Sequence, residues 1–91
     1  MLNNSLIFDL MNIGINDIVW LYENQGAYAY VGKIKIGSYF LDTINPKEGK
    51  YRVRSLLPQS NLRISTDKVE TAKELIERDL MEFLNKLCYY N

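Results

Sequence analysis

Residues 67–89 read DKVETAKELIERDLMEFLNKLCY and form the clearest element of the sequence. Its apolar residues recur at steps of three and four, which is typical of one face of an α-helix. The stretch contains neither Gly nor Pro, and several opposite charges stand four residues apart on its polar side. The spacing predicts a helix of about five to six turns. The apolar stripe consists of Val69, Ala72, Ile76, Leu80, Phe83 and Leu87, widened by Leu75 and Leu84.

The residues before this helix alternate with a period of two. Segments 18–23, 27–33 and 50–57 are rich in β-branched and aromatic residues, which is typical of half-buried strands. Turn residues stand at 24–26, 45–49 and 58–61, and a short edge strand is expected at 62–65. Glycines at 32 and 37 interrupt segment 27–44, which indicates a bulge or bend within either one long strand or two strands.

These elements predict an α+β fold, in which an antiparallel sheet of three to five strands carries one long C-terminal helix on one face. At 91 residues the chain is expected to be one domain, 1–91. Within it, residues 17–65 form the β-meander and residues 67–89 the helix. Residues 1–15 are expected to form an N-terminal arm or a short helix, with an edge strand as the other interpretation of that segment.

The composition excludes several kinds of chemistry. The chain has no His and one Cys, which excludes an internal disulfide, a His/Cys zinc site and a Ser-His-Asp triad. The carboxylates show neither the spacing of a calcium loop nor that of a catalytic pair. We therefore expect a protein without enzymatic activity, metal or cofactor.

The hydropathy pattern bears on location. No apolar run approaches the roughly 18 residues needed to span a bilayer, and no basic residue precedes the first apolar stretch, as a signal peptide requires. We expect a cytoplasmic protein that makes no membrane contact.

The formal net charge is zero, but charge is segregated along the chain. Residues 1–32 carry a net charge of −3, residues 33–63 of +5 and residues 64–91 of −2. Cations interleaved with aromatic residues, as in the middle third, are typical of surfaces that hold phosphates and stack bases. A solvated sheet face guarded by Lys and Arg explains the same pattern, and the zero net charge favours this explanation.

The seven tyrosines exceed what so small a core needs. Tyrosine is favoured at interfaces because it offers a large contact area at a low cost in conformational entropy. We expect part of them, with nearby cations, to form a contact surface, and self-association into a homodimer is its simplest use. The candidate partner-binding residues are Tyr28, Tyr30, Lys33, Lys35, Tyr39, Arg52, Arg54 and Arg63.

The order of elements resembles that of small accessory proteins of phages and mobile elements, over roughly residues 18–88. The resemblance is carried by Trp20 and by residues 26–29, 37–41, 49–53 and 66–73. It implies a meander followed by a helix, and a non-enzymatic inhibitor of the anti-CRISPR type. Such an inhibitor acts in the host bacterial cell and blocks a defence protein or ribonucleoprotein complex by steric occlusion. The alternative is a small nucleic-acid-binding module that uses a basic, tyrosine-containing sheet face.

Overall fold

The structure of the chain is a computed structural model that describes residues 13–44 and 49–89. Within these residues, five strands form one antiparallel sheet in chain order. The strands are β1 (Ile18–Glu23), β2 (Gly26–Val31), β3 (Ile34–Leu41), β4 (Tyr51–Ser55) and β5 (Arg63–Thr66). A 3-10 turn, Ile15–Asp17, precedes the sheet, and helix α1, Val69–Tyr89, follows it. The predicted α+β class and the sheet-plus-helix architecture are confirmed.

Two predicted features fall largely outside the described residues. Of the N-terminal arm or short helix expected over residues 1–15, residues 1–12 lie outside, and so do residues 45–48 of the turn expected between β3 and β4. The described part of the first segment ends in the 3-10 turn. There the Gly14 N–H donates to Oδ2 of Asp17 over 2.7 Å, and the Asp17 N–H donates back to the Gly14 carbonyl over 3.0 Å.

Helix α1 packs over one face of the sheet, mainly against β3 and β4. Its buried residues follow a four-residue step, and they are Ala72, Ile76, Leu80 and Leu84. The predicted stripe is thus confirmed along most of its length, but its C-terminal end differs, because Leu84 is buried whereas Leu87 is 37% exposed. Residues four apart form a row that runs obliquely along a helix. The sheet covers the row that contains Leu84, and Leu87 lies outside that row.

A β-bulge in β3 decides which residues reach each face of the sheet. Ala29 pairs with Gly37 and Tyr30 pairs with Lys35, so that Ile36 has no partner on β2. One extra residue reverses the in-and-out alternation beyond it. The predicted irregularity near position 37 is therefore a bulge, and β2 and β3 are two strands rather than one.

The bulge also forms the part of β3 against which α1 packs. Ile36 is buried, and Gly37 beside it has no side chain to keep the helix away. A Cβ at Gly37 would lie 3.0 Å from the Arg54 carbonyl oxygen and 3.4 Å from Cγ2 of Ile76. Ile76 is one of the largest fully buried side chains, and burial of such a side chain contributes about 1.5–3 kcal/mol to stability.

Tyr39 is a correction to the predicted contact surface, because it lies in the core and is 3% exposed. An unbroken alternation would put Lys35 and Tyr39 on one face, whereas the extra residue turns Tyr39 toward α1. Its ring packs against those of Trp20 and Tyr51, with centroids 5.9 Å away in each case. Burial raises the pKa of the Tyr39 phenol, and the nearby Lys73 ammonium opposes that shift.

Lys73 connects α1 with the first strand. Its Nζ atom donates a hydrogen bond to the Tyr22 hydroxyl and lies 4.6 Å from the centroid of that ring and 5.2 Å from the Trp20 centroid. The hydrogen bond raises the pKa of the Lys73 ammonium. Contacts of a cation with an exposed aromatic ring contribute about 0.5–1 kcal/mol each.

Gly26 begins β2 at a point where the backbone of β3 passes closely. An added Cβ would collide with the Tyr39 carbonyl oxygen and lie 2.8 Å from Cα of Phe40. We predict that Gly26→Ala lowers the free energy of unfolding, measured by urea denaturation, by about 2 kcal/mol or more, because the two strands must separate. Gly14→Ala is the control, since a Cβ there meets nothing within 4 Å. Equal losses in the two variants would contradict the close approach.

The buried Tyr39 phenol makes the fold sensitive to alkaline pH. Its pKa is raised above the ordinary value of 10.0, so the unfolded chain releases this proton at a lower pH than the folded protein does. The stabilisation is complete below about pH 10 and is lost as the pH rises through the folded-state pKa. We predict that the urea midpoint falls as the pH rises above about 10, and that it falls less in Tyr39→Phe. Identical pH profiles would refute this role for Tyr39.

Candidate functional site

The candidate site is the sheet face that α1 leaves uncovered, which we call the open face. The strand register and the burial pattern assign its residues. They are Val19, Leu21 and Glu23 of β1; Tyr28 and Tyr30 of β2; Lys35, Ser38 and Phe40 of β3; Arg52 and Arg54 of β4; and Arg63 and Ser65 of β5. Four cations thus share this face with three aromatic residues and one acidic residue.

One row of residues crosses the open face from edge to edge. Leu21 pairs with Tyr28, Tyr28 with Ser38, Ser38 with Arg54, and Arg54 with Arg63. Neighbouring strands lie about 4.8 Å apart. The backbone of Tyr28 on β2 is therefore about 10 Å from the backbone of Arg54 on β4. The small Ser38 side chain lies between them. The row therefore changes from apolar through aromatic to cationic across the sheet.

The aromatic residues of the open face lie side by side. The Tyr28 and Phe40 rings meet edge to face with centroids 4.9 Å apart. The Lys35 Nζ atom lies 4.0 Å from the Tyr28 centroid and 5.8 Å from the Tyr30 centroid. All three rings are half-buried, so each keeps part of its surface open to solvent. Together they form an aromatic platform that carries one cation.

The arginines of the open face differ in their partners. Nε of Arg52 lies 3.3 Å from Oδ2 of Asp42, which compensates the charge of that guanidinium. Arg54 and Arg63 are exposed and directly opposite each other. Among the residues that the structure describes, no acidic side chain forms an ion pair with either of them. Like charges directly opposite in a sheet are destabilising, so this pair is an uncompensated cationic site.

Two shallow grooves meet at this arginine pair. The larger, of about 780 Å³, runs along β4 and β5, and Arg52, Arg54, Arg63 and Ser65 contribute to its lining. The smaller, of about 330 Å³, is also lined by Arg54 and Arg63, and it includes Asn61 from the loop before β5. Hydrogen-bond donors therefore line both grooves.

The acidic side chains are concentrated on the opposite side of the sheet. Helix α1 carries five of them, and these are Glu70, Glu74, Glu77, Asp79 and Glu82. The local field above the open face is set by its own cations, since charges more than about 10 Å away are largely screened at moderate salt. A net charge of zero therefore coexists with a cationic face.

Most of the predicted site residues come together. Tyr28, Tyr30, Lys35, Arg52, Arg54 and Arg63 all lie on the open face. Lys33 is exposed in the turn between β2 and β3, beside Gly32, which adopts a φ of 60°. Tyr39 lies under the helix instead, as described above.

Phe40 and Ser38 belong to the open face although no pattern in the sequence singled them out. The signal that could have found them is Gly37, whose position within a strand pattern indicates a bulge. A bulge next to Gly37 exchanges the faces of Tyr39 and Phe40.

Other kinds of site are not seen in the described part of the chain. Within residues 13–44 and 49–89, no three His, Cys, Asp or Glu residues stand close enough together to hold a metal ion. In the same residues, no helix combines the length and the apolar character needed to cross a membrane.

The chain matches no protein-family model, and no curated protein and no solved structure matches it either. The resemblance to small phage accessory proteins therefore stays a prediction from the sequence, and the open face is interpreted from its own geometry.

Proposed function

We propose that the chain is a non-enzymatic binding module that holds single-stranded nucleic acid on the open face of its sheet. The observation that carries this proposal is that the half-buried Tyr28, Tyr30 and Phe40 rings all keep part of their surface open beside Lys35 and the arginines of β4 and β5. Proteins that bind single strands combine these two features, because rings stack on bases and cations neutralise phosphates.

The energetics of the platform support stacking. Lys35 lies over the Tyr28 ring at 4.0 Å, an exposed contact that contributes about 0.5–1 kcal/mol. A base stacked on an aromatic side chain contributes about 1–3 kcal/mol. A base can therefore displace Lys35 from the ring, and the displaced ammonium remains beside the platform, where a phosphate can accept its hydrogen bonds.

The placement of charge also supports a nucleic-acid ligand. Four cations share the open face with one acidic residue, whereas the five acidic residues of α1 lie behind the sheet. Association with a polyanion depends on the local field rather than on the net charge of the whole protein. A net charge of zero is therefore compatible with binding of nucleic acid by the open face.

We predict that a short single-stranded DNA or RNA binds with an affinity that falls steeply between about 50 and about 200 mM salt. Tyr28→Ala is expected to weaken binding about 5- to 150-fold because one stacked base is lost. Fluorescence anisotropy measures both effects. The matched control is Tyr22→Ala, which deletes a 60% exposed tyrosine that contacts Lys73 of α1. An absence of binding at low salt would remove the proposal.

A second candidate function is the inhibition of a bacterial defence complex by steric occlusion, in the manner of anti-CRISPR proteins. The observation that favours it is an apolar margin on the same face. Val19 is 62% and Leu21 50% exposed, opposite Tyr30 and Tyr28 respectively. Exposed apolar residues next to aromatic ones are typical of protein contacts. A ribonucleoprotein would offer both a protein surface and a nucleic acid to such a face.

For this second candidate we predict that the tagged chain, added to a purified CRISPR ribonucleoprotein, binds it and remains bound after nuclease treatment. Leu21→Ser is expected to weaken this binding because it removes apolar contact area. Ile64→Ser is the matched control, since Ile64 is 51% exposed and lies outside the open face. Loss of all binding on nuclease treatment would argue for nucleic acid alone.

A further inference from the structure

We propose that Arg54 and Arg63 form a discrete site for one phosphodiester group, and that this site sets the position of a single strand on the open face. This proposal rests on the proposed function for the origin of the phosphate. It goes further in assigning the phosphate to one pair of residues and the adjoining base to Tyr28.

The charge of the arginine pair is uncompensated within the described residues. Arg54 and Arg63 are directly opposite partners in the β4–β5 ladder, where Cβ atoms lie about 5 Å apart. Within the described residues neither has an acidic partner, whereas Arg52, on the same strand as Arg54, is paired with Asp42. An anion seated between two facing guanidinium groups would convert their repulsion into two attractive contacts.

The surroundings of the arginine pair offer further hydrogen-bond donors. Both grooves that meet here are lined by Arg54 and Arg63, and Ser65 and Asn61 add uncharged donors to the lining. Arginine offers a planar fork of N–H donors that fits two oxygens of a phosphate group. Two such forks with neutral donors beside them suit an anion with several acceptor oxygens.

A nucleic-acid phosphate fits this position better than a protein carboxylate does. The row that contains the pair continues through Ser38 to Tyr28. The small Ser38 side chain leaves a clear path from the cations to the half-buried Tyr28 ring. Arg54 and Tyr28 are separated by two β-strand spacings, about 10 Å. A single-stranded nucleic acid that follows this row can therefore place a phosphate at the arginines and a base on the Tyr28 ring.

The test compares Arg54→Gln and Arg63→Gln with Arg78→Gln, which removes the same charge from an exposed position on α1. We expect each open-face variant to weaken binding of a thymidine oligonucleotide about tenfold. Each is also expected to lower the slope of log affinity against log salt by about one. Because both arginines hold the same phosphate, the double variant should lose much less than the product of the two single losses.

An abasic oligomer of deoxyribose phosphate separates this proposal from the proposed function. If the abasic oligomer binds as well as the thymidine oligomer and depends on Arg54, the phosphate site stands and stacking is refuted. If the thymidine oligomer binds but Arg54→Gln behaves like Arg78→Gln, the phosphate site is refuted and the nucleic-acid proposal stands.

A second readout uses the protein without nucleic acid. Inorganic phosphate is expected to raise the melting temperature of the unchanged protein more than that of Arg54→Gln, because it binds the folded state at this pair. Sodium chloride at the same ionic strength serves as the control for screening. Equal shifts in the two proteins would overturn the proposal. The variant is not expected to unfold, since it removes a repulsive neighbour.

Discussion

Helix α1 and the sheet meet most closely where Ile76 packs against the bulged segment of β3. The extra residue of β3 turns Ile36 toward the helix, and Gly37 leaves the space that Ile76 fills. Because Ile76 lies in the middle of the buried row of α1, this contact sets the position of the helix on the sheet. It also determines which residues of β3 remain for the other face.

The open face follows from that constraint. With α1 on one side, the outward residues of an antiparallel sheet remain in contact with solvent. Beyond the bulge the alternation is reversed, so Phe40 joins Tyr28 on the open face and Tyr39 enters the core between Trp20 and Tyr51. One residue inserted in one strand therefore exchanges an aromatic residue of the core with one of the surface.

The two faces of the sheet also differ in their electrostatics, because the open face holds two like charges in direct opposition. The Arg54–Arg63 repulsion costs the fold a few tenths of a kcal/mol to about 1 kcal/mol, the range of cross-strand pairs. The burial of a single core side chain such as Ile76 contributes more than that. The fold can therefore retain a cationic pair that weakens it slightly, and such a pair is available to a ligand of opposite charge.

Much of the fold and part of the site were predictable from residue patterns. Periods of two and of three to four are local properties, and they placed the strands, the helix and their apolar faces because the backbone geometry of each element repeats at those intervals. The same alternation places Arg52 with Arg54 and Tyr28 with Tyr30 on common faces, and the structure agrees because no bulge interrupts those stretches of their strands.

Gly37 indicates a bulge, but the grouping of Lys35 with Phe40 rather than with Tyr39 also requires the position of the extra residue, which follows from the register of β2 against β3. The unpaired residue of β3 is Ile36, which belongs to the same core cluster as Ile76 of α1, more than thirty residues away along the chain. The pairing of Arg54 with Arg63 depends likewise on the register of β5 against β4. By itself the sequence determined that this chain forms a two-faced sheet beneath one amphipathic helix. Packing across long separations decided which aromatic and cationic side chains meet on its open face, because a shift of one residue moves every later side chain to the other side.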